Sequence, residues 1–450
     1  MRNRECNLGE VGILDQGSEN GTSLPAFRAS PLRDRVLGEV HARPFRPIGS
    51  PRTVLHYAFL TNGEEAAADE TWFREFCVSR GGHGPTAGTR HHMIGFGGGT
   101  LSWEQHAEFT TYSWDGPAAA AAIFGQFPRT HPFGAAFRAP GDLLVAVRLE
   151  VRDETETELW REHFDADSLT VSCVEDSAAR VATDFRQDGD GLTRFLVFNR
   201  SLRDVQLGAV VQRLLEVETY RTLAMLGLFE ATRLQPDIRR AEIELAELTG
   251  EMRDTSGLGA NQGLLDKFTA LAAGLEAGAT ASTFRFGASR AYAEIVTARF
   301  QTLREKAAPG ELSMSSFLVR RLAPAMRTCQ AIEDRQAMLS RKLARATTLL
   351  RTRVDVELEE QNRNLLQSMN RRARLQLRLQ QTVEGLSVAA VSYYVVGLIS
   401  YLAKAAKEAG LPLPDANVVT GLAVPVVVLA IWWTVRRIRH HHVEDHTEDK

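Results

Sequence analysis

The sequence predicts an α+β protein with three parts. These are an N-terminal mixed α/β domain, a helical bundle ending in a long stalk helix, and a C-terminal two-helix transmembrane hairpin. Three observations predict it. Segments rich in β-branched and aromatic residues recur between residues 53 and 198 and then stop. Apolar residues at helical spacing take over from residue 201. Two apolar runs, residues 383–403 and 418–435, are each long enough as a helix to cross a bilayer core, which takes about 20 residues.

Taken in order, residues 1–29 carry no apolar h-region and read as a disordered tail without a secretory signal. The α/β domain spans 30–200. It opens with a helix at 31–41, where Ser30 is a good N-cap and Pro31 suits the first helical position. Pro44 stops that helix. A strand follows at 53–60, then a helix at 66–79 with Trp72, Phe73, Phe76 and Cys77 on one face. Residues 81–88 are a glycine-rich loop. Strands are expected at 90–96, 101–104, 107–114, 143–151, 169–174, 180–185 and 193–198, and an alanine-rich helix at 117–127. Asp188-Gly189-Asp190-Gly191 makes the turn into the last strand.

The helical domain covers 201–312. Its expected helices are 202–229, then 237–253 after a break at Pro236, then 264–276 and 287–306. The stalk helix occupies 313–382. After Pro324 no proline or glycine occurs before Gly385, and Leu339, Leu343, Ala346, Leu350, Val354 and Leu358 recur at spacings of three and four. About sixty such residues make roughly 90 Å of helix, which needs partner helices from residues 201–330 or from other subunits.

The hairpin has its first span at 383–403, an outer loop at 404–417, a second span at 418–435 and a tail at 436–450. Arg371, Arg372, Arg374 and Arg378 precede the first span, and Arg436, Arg437 and Arg439 follow the second. Basic flanks favour the cytoplasmic side, so both termini are expected there, with Trp432 and Trp433 in the inner interfacial belt. The cluster at Arg371, Arg372, Arg374 and Arg378 also suits anionic lipid headgroups.

Composition excludes little. The chain has 450 residues, 24% charged, with formal net charge -3, which argues against a dedicated nucleic-acid binder. Cys6, Cys77, Cys173 and Cys329 are far apart, which fits a reducing compartment and gives no zinc spacing. Gly95-Phe96-Gly97-Gly98-Gly99-Thr100 lacks the Lys-Ser/Thr of a phosphate loop and reads as a turn between strands. His41, His56, His83, His91, His92 and His106 cluster without ligand spacing and read as structural or exposed; the metal ligands, if any, stay unknown. No nucleophile motif stands out, so enzyme activity is the minority expectation. In the first span Gly385, Ala389, Ser392, Val396 and Ser400 share one small, weakly polar face, suited to close helix packing or to lining a narrow pore.

Two resemblances have their residues in view. Val40-His41-Ala42-Arg43-Pro44-Phe45, the run from Trp103 to Tyr112, and Glu218-Thr219-Tyr220-Arg221 resemble an uncharacterised bacterial family, a domain of unknown function described as membrane-anchored. That resemblance covers nearly the whole chain and implies no established activity. The layout also resembles the CorA-type divalent-cation channels, with a cytoplasmic α/β domain and a stalk helix that becomes the first span. Where that family carries an outer Gly-Met-Asn tripeptide, this chain reads Tyr401-Leu402-Ala403.

These readings give two expectations. The first is a homo-oligomeric cation channel or sensor of the bacterial cytoplasmic membrane, with Gly385, Ser392 and Ser400 lining the conduit and a divalent cation as the ligand the resemblance implies. The second is a membrane-anchored scaffold or ligand sensor whose surface around His41, Arg43, His106 and Glu108 binds a partner or small molecule.

Overall fold

Alternation in the β1 segment (Arg52–Leu60) sets the architecture, because successive side chains turn to opposite faces. Leu55 and Phe59 enter one buried cluster, Val54 and Ala58 another, so the strand must be covered on both sides. The computed structural model describes residues 30, 32–33, 36–37, 45–86, 88–118, 122–154, 158–408 and 415–444. After β1 come α1 (Gly63–Val78), β2 (His91–Phe96), β3 (Gly99–Gln105), β4 (Phe109–Pro117), β5 (Asp142–Asp153), β6 (Thr170–Val174), β7 (Ala179–Thr183) and β8 (Thr193–Asn199). Then follow α2 (Asp204–Asp254), α3 (Leu258–Thr302), β9 (Lys306–Ala307), α4 (Met314–Glu408) and α5 (Ala416–Glu444).

The nine strands form one sheet in the order β2-β3-β4-β1-β5-β8-β7-β6-β9. Among the described residues only β5 and β8 pair in parallel, with the β6–β7 hairpin supplied between them in sequence. One face carries α1, whose Phe73, Phe76 and Cys77 pack with Leu55, Trp103, Tyr112 and Trp114. Asn62 starts α1 with a capping box: its side chain accepts from the Glu64 and Glu65 amides, and Glu65 accepts from the Asn62 amide. Inside that face Asp69 accepts from Trp103 Nε1 and Tyr112 Oη, both at 2.7 Å. Burial raises the Asp69 carboxyl above its ordinary value, opposed by those two hydrogen bonds.

The other face packs on helices. Val145, Val147, Leu149, Val151, Phe195 and Val197 meet Leu207, Val210, Val211 and Leu214 of α2 and Val296 and Phe300 of α3. The chain divides into two units, Met1–Arg239 with Glu276–Ala337, and Arg240–Leu275 with Met338–Lys450. The second is helical. Leu245, Leu248, Leu264, Phe268, Leu339, Leu343, Leu350 and Val354 are among its buried residues, and Glu357 accepts from Asn261 Nδ2 at 2.9 Å.

Several expectations need correction. The alanine-rich segment is not a helix in its described part: β4 runs through Pro117, and residues 122–127 form turns. Phe124 adopts φ +51 to bury its ring beside Phe164, and the Gly125 carbonyl accepts from Arg148, so tertiary contacts override alanine's preference. Pro236 does not end a helix, because α2 continues through it to Asp254. Thr232 and Pro236 are exposed, so the carbonyl that proline leaves without a donor lies on the solvent side of the helix. Residues 264–276 and 287–306 are not two helices, since α3 is continuous from Leu258 to Thr302. The short edge strand β9 was not anticipated. Of the first helix, Arg33, Val36 and Leu37 are helical and the remainder lies outside the described residues.

The glycine run turns between strands, as its sequence implies: Gly97 at φ +60 and Gly98 at +75 join β2 to β3. The stalk and first apolar run form one helix, α4, of 95 residues. Two helices, α4 and α5, are long and apolar enough to cross a membrane.

Candidate functional site

On the helix-facing side of β1, β3 and β4 the expected apolar residues give way to polar ones. Registered neighbours share a face. His56 lies beside Ser113, and Ser113 beside Ser102; Ala58 lies beside Thr111, and Thr111 beside Glu104. Opposite them α2 presents Gln212, Leu215, Glu216, Thr219 and Tyr220, spaced for one helical face, and α3 contributes Arg299 and Thr302. These helical residues and Arg213, with His56, Glu104, Thr111 and Ser113 of the sheet and with Phe45, His106 and Phe109, line a cavity of about 330 Å³. Phe45 reaches it because the strand-like entry segment lies directly on α2: the Ile48 amide donates to the Asp204 carbonyl at 3.0 Å. A Cβ at Gly208 would stand 1.7 Å from the Arg46 carbonyl oxygen, so only glycine permits this approach.

His56 forms the floor. Thr219 donates its hydroxyl proton to the Leu215 carbonyl at 2.9 Å, so its oxygen accepts from His56 Nε2, also at 2.9 Å. His56 Nδ1 therefore carries the lone pair and accepts from Ser113 Oγ at 2.7 Å. Burial lowers the imidazole pKa to about 4, so the ring is neutral at pH 7. A base that weak suits a fixed binding group better than proton abstraction.

The walls carry balanced charge. Arg299 pairs with Glu216, which also accepts from Gln212 Nε2 at 3.1 Å. Arg213 donates to Glu175 at 2.9 Å and lies over the Phe45 ring at 5.4 Å. His106 stacks on Phe109 with centroids 4.1 Å apart, and its Nε2 lies 3.8 Å from Glu104.

Of the residues singled out from sequence, His106 lines the cavity. Glu108 is turned from it and ties the β3–β4 turn to α3, accepting from Arg285 at 2.5 and 3.2 Å and from Tyr292 Oη at 2.6 Å. Burial, reinforced by Glu108, pushes the Tyr292 hydroxyl pKa up, so it stays a donor. His41 and Arg43 lie outside the described residues, although Phe45 of the same motif lines the cavity. His91 and His92 face opposite ways, toward Glu104 and toward Phe73. Gly385, Ser392 and Ser400 lie on α4 in the other unit. Ser392 is buried and donates to the Val388 carbonyl at 2.7 Å, while Gly385 borders open space. Among the described residues no three His, Cys, Asp or Glu side chains converge as a metal site.

Sequence reasoning missed His56 as a site residue, together with Thr111, Ser113, Thr219 and Arg299. One signal was present. Along β4, Phe109, Thr111, Ser113 and Asp115 alternate with Thr110, Tyr112 and Trp114, so the strand has a polar side where a two-sided core strand should be apolar.

The family model for "Protein of unknown function (DUF3422)" matches residues 28–442, and the chain belongs to that family. Neither the curated proteins nor the solved structures contain a match to it.

Proposed function

We propose, taking membership of this uncharacterised family as the premise, that the protein is a membrane-anchored ligand-binding protein. Its N-terminal unit takes a small polar molecule into the cavity over His56. The observation that carries this is a void lined by satisfied polar groups at a place where the sheet would otherwise bury an apolar face. Its volume falls at the lower end of the range of about 300–1,000 Å³ for small-molecule sites. Arg213 and Arg299 balance Glu104 and Glu216, and Phe45, Phe109 and Tyr220 add apolar wall. A compact, near-neutral or zwitterionic molecule with both donors and acceptors matches that lining.

Anchoring rests on α4 and α5, whose apolar runs expose Leu386, Tyr393, Leu402, Leu422 and Leu429. Such surfaces are incompatible with water and fit lipid. The arginines flanking both runs favour cytoplasmic termini in a bacterial membrane, and Arg371, Arg372, Arg374 and Arg378 suit anionic headgroups. Residues 358–383 of α4 are exposed throughout and include Leu365, Leu366, Met369 and Leu377. A second copy of the chain, held parallel by the same membrane, is the partner that covers them. Thermal unfolding of the full-length protein in detergent, against a panel of small polar metabolites, tests the binding. One chemical class should raise the midpoint, and Thr302→Trp, at the exposed rim, should abolish the rise. A panel without effect, or shifts that survive the plug, would remove the reading.

The continuity of α4 supports a second reading, a homo-oligomeric cation conduit of CorA-like layout lined by Gly385, Ser392 and Ser400. Divalent-cation flux into liposomes carrying the purified oligomer tests it; absent flux eliminates it.

A further inference from the structure

A second cavity, of about 320 Å³, lies where the chain leaves β7. Asp184 shapes the turn there: one carboxylate oxygen accepts from the Arg186 amide at 3.0 Å and the other from the Asp165 amide at 2.9 Å. Phe185 is held at φ +56, a conformation unfavourable for any residue with a Cβ. It places the ring flat against Phe317, with centroids 5.3 Å apart and planes at 18°. Arg221 lies over the Phe185 ring at 4.9 Å, and Arg321 over the Phe317 ring at 3.6 Å. Two guanidiniums and two rings are thus gathered along the cavity wall.

The charge here is not balanced. Arg186, Arg221 and Arg321 line the cavity with a single carboxylate, Asp184, whose oxygens are already engaged by backbone amides. Arg221 is held by Glu218. Arg186 pairs with Asp165 at 3.0 Å in an exposed setting, where a ligand oxygen competes readily. Arg321 donates to the Phe317 carbonyl at 3.1 Å and has no carboxylate partner among the described residues. Met225 and Leu318 supply an apolar floor beside these cations.

We propose that this cavity is a second binding site, for a small anion whose phosphate or carboxylate is carried on a flat apolar body. Arg321 and Arg186 hold the anionic head through charge-assisted hydrogen bonds. The body lies on the apolar floor beside the Phe317 ring. The site is separate from the cavity over His56, where two glutamates face two arginines.

Calorimetry on the full-length protein in a non-ionic detergent tests this with phenyl phosphate as the probe. Phenyl phosphate should bind, more tightly than inorganic phosphate, and benzylamine should not. Arg321→Gln should weaken phenyl phosphate by about tenfold or more, the loss of a charged hydrogen-bond partner. Arg320→Gln, an exposed neighbour outside the cavity, should leave it unchanged. Arg186→Gln serves as an independent second variant, and an unchanged thermal midpoint without ligand shows that each variant is folded. Thr302→Trp should not affect this binding, which separates it from the first cavity. The proposal is overturned if phenyl phosphate gives no binding at millimolar concentration, if benzylamine binds equally, or if folded Arg321→Gln and Arg186→Gln bind like the wild type.

Discussion

Two halves of one sheet surface face the same helices and differ in kind. Under β5 and β8 that surface is Val145, Val147, Leu149, Val151, Phe195 and Val197, packed against α2 and α3, with Thr193, which donates to Glu218 of α2 at 3.0 Å, as a polar exception at its edge. Under β1, β4 and β3 it is His56, Ser113, Thr111 and Glu104, and a cavity stands between sheet and helix. Apolar groups gain by close contact, so the first half closes. Polar groups need partners rather than contact, and once His56, Ser113 and Thr219 satisfy one another a void beside them costs little. The difference assigns stability to one half and ligand recognition to the other.

The largest effect should come from the apolar half. Phe195 is fully buried in its centre. Phe195→Ala should lower unfolding free energy by about 3–5 kcal/mol in denaturant titration. A loss no greater than that of a surface substitution would break the contrast between the halves.

The next effect belongs to His56 and depends on pH. Its pKa falls from 6.5 in the unfolded chain to about 4 in the fold. Between these values the unfolded state binds the extra proton, so stability is complete above pH 6.5 and is lost as pH falls toward 4. The difference is worth about 3 kcal/mol across that window. Thermal midpoints measured from neutral to acid pH should fall more steeply for the wild type than for His56→Gln. Parallel curves would show that His56 does not titrate as its burial requires.

A smaller loss is expected at Glu108. Glu108→Gln leaves Arg285 without its counter-charge and weakens the bond from Tyr292, at a cost of about 1–3 kcal/mol. Tyr292→Phe should cost less than Glu108→Gln, because the Arg285 pair survives. The reverse order would show that the hydroxyl, not the ion pair, holds the β3–β4 turn to α3.

How much of this was legible in the sequence depends on whether local pattern or tertiary contact decides. Strands β1, β5 and β8 follow from β-branched runs, and in the stripe read from spacing Leu339, Leu343, Leu350 and Val354 are buried, Ala346 is half-buried and Leu358 is exposed. Tertiary contact decided where reasoning failed. Phe124 and Gly125 serve a buried cluster and Arg148 instead of a helix. Pro236 sits on a solvent face and is tolerated within α2. His106 was found because it lies in a distinctive run. Glu108 came from the same run but proved to be a clamp. His56, Thr219 and Arg299 are far apart in sequence, and only the sheet register and the α2 and α3 faces bring them to one cavity.

The smallest effect is the sharpest test of the polar half. Ser113 gives its proton to His56 Nδ1, and both line the cavity. Ser113→Ala removes that donor, but the cavity lets water reach the exposed nitrogen and replace it at little cost. The expected loss is about 1 kcal/mol or less, with the His56 pH dependence retained. Thr219 is different: its hydroxyl is buried between His56 Nε2 and the Leu215 carbonyl. Thr219→Val leaves the Nε2 proton without an acceptor and should cost more than Ser113→Ala. Equal losses in denaturant titration would mean that water does not enter, and the cavity would then be a packing defect and not a place for a polar ligand.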